Sequence, residues 1–265
     1  MRTAPLSLAF ALVSVAAFAS PPQISHGRIE PLGGGGSLAA RVESVATGWV
    51  GWSIPSRDNR SVVCSCRLDS DNVNITNGDR DDDLHVAVDH HDLFVHLAEH
   101  RVDRVRVFSP TCALDASGQT IYWIDAVAPA DGIAFLRSIA TGQSSHARGQ
   151  ALLALSLHAG ATDALIDLAR HGDHDLRGKA LFWLSQQAGE KAAAVLRGAV
   201  DDPDDNIRGK AVFGISQLPD DESIPMLIEL TKHHSAVVRK KAIFWLGQKN
   251  DPRALEAITQ ILVGR

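Results

Sequence analysis

The chain has 265 residues, 45% of them hydrophobic and 22% charged, enough apolar material for a packed core and enough length for two domains. Its formal net charge of −5 argues against the basic footprint of a general nucleic-acid binder. No stretch beyond residue 20 is long and apolar enough to cross a bilayer, so no membrane span is expected.

Residues 1–19 have the tripartite form of a secretory signal peptide. Arg2 supplies the charge, Leu6 to Ala17 the apolar run, and Ala17-Phe18-Ala19 the small-x-small cut site, leaving Ser20-Pro21-Pro22 as the new start. The expected location is periplasmic or secreted. Residues 20–38, with Gly33-Gly34-Gly35-Gly36, read as a flexible Gly/Pro-rich arm.

From 39 to 128 the pattern turns to β. Trp49-Val50-Gly51-Trp52-Ser53-Ile54 ends at Pro55, Ser61 to Cys66 follows as a short strand, and Thr120-Ile121-Tyr122-Trp123-Ile124 comes after the turn Asp115-Ala116-Ser117-Gly118. Export permits disulfides, and the three cysteines are Cys64, Cys66 and Cys112. Cys64 and Cys66 share a strand face, so either can meet Cys112. The pairing favoured is Cys66 with Cys112, closing a loop of about 46 residues worth a few kcal/mol. Asp69 to Asp83, with its acids and Asn-Gly, reads as a solvated loop.

Leu93 to Phe108 alternates around Glu99-His100-Arg101 and predicts a hairpin, with a helix as the lesser alternative. His96-Leu97-Ala98-Glu99-His100 within it matches the inverted zincin string H-x-x-E-H. On a helix, His96 and His100 would share a face for zinc and Glu99 would act as base; on a straight strand they stand about 13 Å apart. A metal-dependent hydrolase using His96, Glu99 and His100 is therefore the rival reading. His85, His90 and His91 with Asp89 and Asp92 widen the cluster, and are read as a polar strand face. No catalytic residue, resident metal or cofactor is expected.

Pro129-Ala130-Asp131 opens a helix that joins the halves, and a repeat follows. Arg148-Gly149-Gln150-Ala151, Arg177-Gly178-Lys179-Ala180, Arg208-Gly209-Lys210-Ala211 and Arg239-Lys240-Lys241-Ala242 start 29, 31 and 31 residues apart. A period of that length with two helices per unit marks an α-solenoid of about four repeats over 129–265. The fold class expected is thus α+β, a small β-rich domain followed by the solenoid.

Arg239-Lys240-Lys241-Ala242-Ile243-Phe244-Trp245-Leu246-Gly247 carries the Arg-x-x-Ala-x-x-x-Leu-Gly core of short HEAT repeats of the phycobilisome-lyase type, which the segment from Ala147 to Arg265 resembles. The N-terminal half, with Trp-Val-Gly-Trp, Cys-Arg-Leu and Arg-Val-Phe-Ser-Pro-x-Cys, resembles the leading domain of secreted bacterial HEAT-repeat proteins. The resemblance implies protein–protein contacts; bilin attachment has no support in these residues.

Two surface features follow from the period. The recurrent Arg opens a helix against its dipole, and Asp173, Asp175, Asp204 and Asp205 stand ready to offset it, predicting Arg–Asp contacts between repeats. Lys179, Lys210, Lys240 and Lys241 add a basic ridge. The i, i+4 pairs Phe182/Gln186, Phe213/Gln217 and Phe244/Gln248 predict a stripe of rings and amides, with Gly214 leaving a notch where Trp183 and Trp245 stand elsewhere. The reading is an exported non-enzymatic scaffold binding a protein or peptide through Phe182, Gln186, Phe213, Gln217, Phe244, Gln248, Lys179, Lys210 and Lys241. An envelope-stress or sensor component is the other alternative.

Overall fold

The computed structural model describes residues 20–58, 67–69, 87–142, 144–187 and 189–263. The signal segment 1–19, the strand expected over Ser61 to Cys66, most of the acidic run from Asp69, and His85 lie outside them.

Strands β1 (Ile24–Ser25) and β2 (Arg28–Pro31) precede helix α1 (Leu38–Glu43) and strand β3 (Gly48–Pro55). A hairpin of β4 (His90–Ala98) and β5 (Arg101–Phe108) follows, then β6 (Leu114–Asp115) and β7 (Thr120–Trp123). The main sheet has the order β2-β7-β3-β4-β5, with β5 at its edge. The arm expected to be flexible is therefore corrected over 24–31. β2 runs parallel to β7 from Arg28↔Thr120 to Pro31↔Trp123, and β1 pairs with β6. Its Ile24 and Ile29 have a core to cover, which outweighs the looseness of the surrounding Pro and Gly.

The sheet is buried on both faces, which is why its strands read as near-continuous apolar runs. On one face Val50, Trp52, Ile54, Leu93, Val95 and Leu97 join the large core. On the other, Trp49, Phe94, Phe108, Ile121 and Trp123 form a second cluster, to which half-buried Cys112 is packed. Gly51 is the joint between rings: a side chain there would meet the Phe94 ring at 2.8 Å and Trp123 at 3.0 Å. With Cys64 and Cys66 outside the described residues, the disulfide stays an expectation.

Helix α2 (Pro129–Ala140) crosses the first face, Phe135 standing edge-on to Trp52 at 5.8 Å. Four helix pairs follow among the described residues. They are α3 (Ser145–Leu157) with α4 (Thr162–His171), and α5 (His174–Ser185) with α6 (Glu190–Ala199). Then come α7 (Asp205–Ser216) with α8 (Asp220–Leu230), and α9 (Ala236–Leu246) with α10 (Pro252–Leu262). The expected class, a β-rich leading part followed by an α-solenoid, is what the chain forms.

The two parts share one core: a continuous set of buried side chains runs from Val50 and Leu93 through Leu152, Leu181 and Ile215 to Leu246. Backbone bonds lock the joint. Arg57 N–H donates to Leu157 O at 3.0 Å, and Ala159 N–H to Pro55 O at 2.8 Å. The Arg57 guanidinium also donates to Ser156 O at 2.9 Å.

Within the solenoid α3, α5, α7 and α9 pack in succession on one another, while α4, α6 and α8 scarcely meet. The Arg-bearing helices thus form the closely packed layer of the stack, termed the inner layer.

Candidate functional site: the inner helical face

The first-layer helices start where an acid or serine stops the preceding turn. Asp173 accepts from Leu176 N–H at 2.9 Å, and Asp204 from Asn206 N–H at 2.7 Å. These N-caps hold both carboxyls below the usual carboxylate range, the backbone donors being the main cause.

The Arg–Asp contacts between repeats form, with partners shifted from the local ones. Arg148 reaches Asp173 at 2.5 Å, and Arg177 pairs with Asp202, each 25 residues further along and in the next repeat. Asp175 serves Lys179 instead, at 2.8 Å. At the third interval the corresponding residue is His233, and Arg208 turns back to Asp205 and to Asp202 O. The inter-repeat ladder therefore has two rungs among the described residues.

His233 lies in a group with His234 and Asp201 whose ligand-type atoms fall within 4.8 Å, the one spot among the described residues where such groups converge. Ser235 N–H donates to His233 Nδ1 at 3.1 Å, so the Nε2–H of the neutral ring points to Asp201 at 2.9 Å. The ring's single lone pair is thereby used by the backbone, and a metal at Nε2 would have to break that bond.

The inverted zincin string does not assemble. Glu99 (φ 52) and His100 (φ 59) are the left-handed turn residues of the β4–β5 hairpin. His96 Nδ1 meets Asp103 at 2.7 Å, and His100 Nδ1 meets Glu43 O at 2.8 Å, each ring held by its own partner. His91 is buried on the helix-facing side with Nε2 at 3.2 Å from Ser56 Oγ, while Asp92 is buried on the other side against Ser53. Burial pushes His91 down to about 4 and Asp92 up to about 6. The histidines of this region thus alternate between faces and share no centre.

The inner face does bring the predicted rings and lysines together. Phe182 and Phe213 lie parallel with centroids 6.3 Å apart. Trp183 stands against Phe182 at 4.9 Å, Trp245 against Phe213 at 5.2 Å, and Phe244 against Trp245 at 5.0 Å. The result is a row of five rings crossing α5, α7 and α9. Phe182 is 40% and Phe244 55% exposed, against the rule that large aromatics are sequestered.

Two grooves interrupt the row. One, of about 290 Å³, is walled by Lys179, Phe182, Trp183, Lys210 and Phe213. The other, of about 460 Å³, is walled by Lys210, Phe213, Lys241 and Trp245, with Asp205 at its edge. Lys210 lies over Gly178, where a Cβ would come within 2.1 Å of its Nζ, and Lys241 lies beside Gly209. The mid-helix Gly178, which costs about 1 kcal/mol against Ala, leaves the space that Lys210 of the next repeat fills, whereas at Gly209 a Cβ would stand in ordinary contact with Lys241 at 3.8 Å. That cost was the sequence signal for this arrangement. Lys210 and Lys241 make no ion pair among the described residues, whereas Lys179 is tied to Asp175.

Three predicted details change. Gln186 and Gln217 are the C-caps of α5 and α7, each bonding the preceding serine hydroxyl at 3.2 and 3.1 Å, and the amides lie outside both grooves. Gln248 is exposed beyond the end of α9 and likewise walls neither groove. Gly214 leaves no notch, because Leu196 of α6 packs to 2.5 Å of where its Cβ would stand.

In the first repeat the same face is already occupied. Gln150 stands at the lysine position, and its Oε1 accepts the Val105 N–H of edge strand β5 at 2.7 Å. Leu153 and Ala154 replace the Phe and Trp there, and both are buried.

Comparison with known proteins agrees on the repeat. The HEAT-repeat family profile matches residues 162–235 and 193–264, so this part of the chain is similar to HEAT repeats. No curated protein matches. Among solved structures, human deoxyhypusine hydroxylase in complex with glycerol is similar over 48% of this chain and 43% of that one, at 19% identity and TM-score 0.37. An engineered protein matches over 50% and 60%, at 18% identity and TM-score 0.28. A designed armadillo repeat protein in complex with the peptide (KR)4 matches over 48% and 61%, at 16% identity and TM-score 0.30. The chain spans less than two-thirds of each of these structures, and likenesses this distant carry no functional argument.

Proposed function

We propose that the protein is an exported, non-enzymatic scaffold that captures a protein partner on the inner face of its HEAT repeats. The observation that carries this is the uncovered row of Phe182, Phe213, Trp245 and Phe244 with the lysines between them. Rings left half in water cost solvation free energy, about 25 cal/mol for each Å² of apolar area that a partner would cover. Aromatic anchors flanked by cations are the composition of binding hot spots. The HEAT repeat itself supports the same reading, because a stack of helices presents a long rigid surface. Export rests on the signal-like composition of residues 1–19, with cleavage expected after Ala19.

The test is site-specific photo-crosslinking in the native host. A crosslinking residue at Phe213 is expected to form protein adducts, and one at Glu229 on the outer layer is not. Adducts of equal yield at both positions, or none at Phe213, overturn the reading. Amino-terminal sequencing of the protein from a periplasmic or culture fraction is expected to begin at Ser20.

A further inference from the structure

The structure contains its own example of how the inner helical face is covered. In the first repeat the cover is a strand: β5 packs on α3, and the outward N–H of Val105 on the sheet edge is received by Gln150 Oε1 at 2.7 Å. Beneath it the helix presents Gln150, Leu153 and Ala154, an acceptor and two modest apolar side chains. One, two and three repeats further on, the first of these positions carries Lys179, Lys210 and Lys241. The geometry of support is the same, and the chemistry has changed from an acceptor to a donor with full charge. Two of those ammonium groups, Lys210 and Lys241, face the grooves without an ion pair among the described residues. Phe213 and Trp245 stand between and beside them.

Resting on the inner face as the docking surface, we infer that the partner's bound segment is an extended, acidic stretch. It would continue across α5, α7 and α9 the path that β5 takes on α3, its carboxylates meeting Lys210 and Lys241 and its apolar side chains lying on Phe182, Phe213 and Trp245. Helices in contact are about 8–10 Å apart, so the three lysine positions span roughly 20 Å, the length of about six extended residues. A segment of that size is what the two grooves, about 290 and 460 Å³, can hold. Asp205 at the edge of one groove is paired with Arg208, Asp175 is paired with the groove residue Lys179, and the surplus charge in the grooves is positive. A basic segment would face Lys210 and Lys241 with nothing to offset them. A polynucleotide would bring the right charge, but the covered repeat shows a polypeptide strand in this place, and the rest of the chain is acidic overall.

The experiment is fluorescence anisotropy on the folded chain with three labelled peptides of equal length, alternating leucine with glutamate, with lysine or with serine, and with oligodeoxythymidine. The Glu–Leu peptide is expected to bind most tightly, to weaken as salt is raised, and to lose about tenfold or more in the K210E/K241E double variant. That variant is expected to prefer the Lys–Leu peptide; Lys241 is exposed and Lys210 half-buried, so its helical circular dichroism checks the fold. Equal binding of the Glu–Leu and Ser–Leu peptides, both lost in Phe213→Ala but unchanged in K210E/K241E, overturns the acidic partner and leaves the inner face as the docking surface. No peptide binding sensitive to Phe213→Ala overturns both. Tighter binding of oligodeoxythymidine, lost in K210E/K241E, overturns the polypeptide in favour of a nucleic acid.

Discussion

Two stretches of one helical layer meet different fates in this molecule. The inner face of α3 is covered by β5 and has become core, with Leu153 and Ala154 buried. The inner faces of α5, α7 and α9 stay open, and the equivalent positions carry Lys with Phe, and Trp in two of the three. The same fold position is therefore core or surface according to what lies above it, and the side chains follow. Small aliphatics suit a face that the chain itself covers. Large rings and cations remain where the cover must come from outside.

The comparison breaks most readily at the sheet–helix contact. Trp52 is fully buried and edge-on to Phe135, so Trp52→Ala is expected to cost about 3–5 kcal/mol in urea unfolding. Phe244→Ala on the open face is expected to cost well under that, about 1 kcal/mol or less. Equal costs would mean that the open row is structural after all.

The next effect is in pH. His91 is held neutral by burial and titrates near 4 in the fold against about 6.5 unfolded, with Asp58 opposing the shift and His90 adding to it. Between those values the unfolded chain binds the extra proton, so the His91 contribution is complete above about pH 6.5 and is lost as pH falls toward 4. The size is on the order of 3 kcal/mol. Asp92 works in the other sense: raised to about 6 by burial, it keeps its proton in the fold, and stability is gained as pH falls from 6 toward its unfolded value. The two slopes oppose each other. His91→Gln is expected to leave a chain whose stability rises on acidification from pH 6 to 4, and Asp92→Asn one that loses stability more steeply, both read by urea titration at several pH values.

Smaller effects sharpen the picture of the open repeats. Arg177→Ala removes a complete inter-repeat rung and leaves Asp202 in a largely covered position, an expected loss of about 2 kcal/mol. Arg208→Ala, where His233 has replaced the aspartate, is expected to lose less; thermal unfolding of the pair of variants compares them. At the covered repeat, Gln150→Leu removes the acceptor of one backbone N–H, expected to cost about 1 kcal/mol and to speed amide exchange at Val105.

The period of the Arg-x-x-Ala block, about 31 residues, was legible in the sequence because each repeat must bury the same faces against its neighbours, and that demand is local and recurrent. The hairpin about Glu99-His100 was legible for a similar reason, since alternation is set by the pleat. From the hairpin it follows that His96 and His100 do not share a helix face. The lysines and phenylalanines were found by the same register.

Contacts that join residues far apart in sequence were decided only in three dimensions. The rung partners stand 25 residues beyond each Arg, in the next repeat's entry loop, and not in the Asp beside it. The strands at 24–31 become ordered by pairing with residues some 90 positions later, which no local composition announces. Gln186 and Gln217 share a period with the rings, yet the helix ends at them and their amides turn to its last serine. Periodicity states which side chains repeat. What covers them depends on which strand or helix the packed chain lays on top, and that is why Gln150 meets the edge of β5 while Lys210 and Lys241 line open grooves.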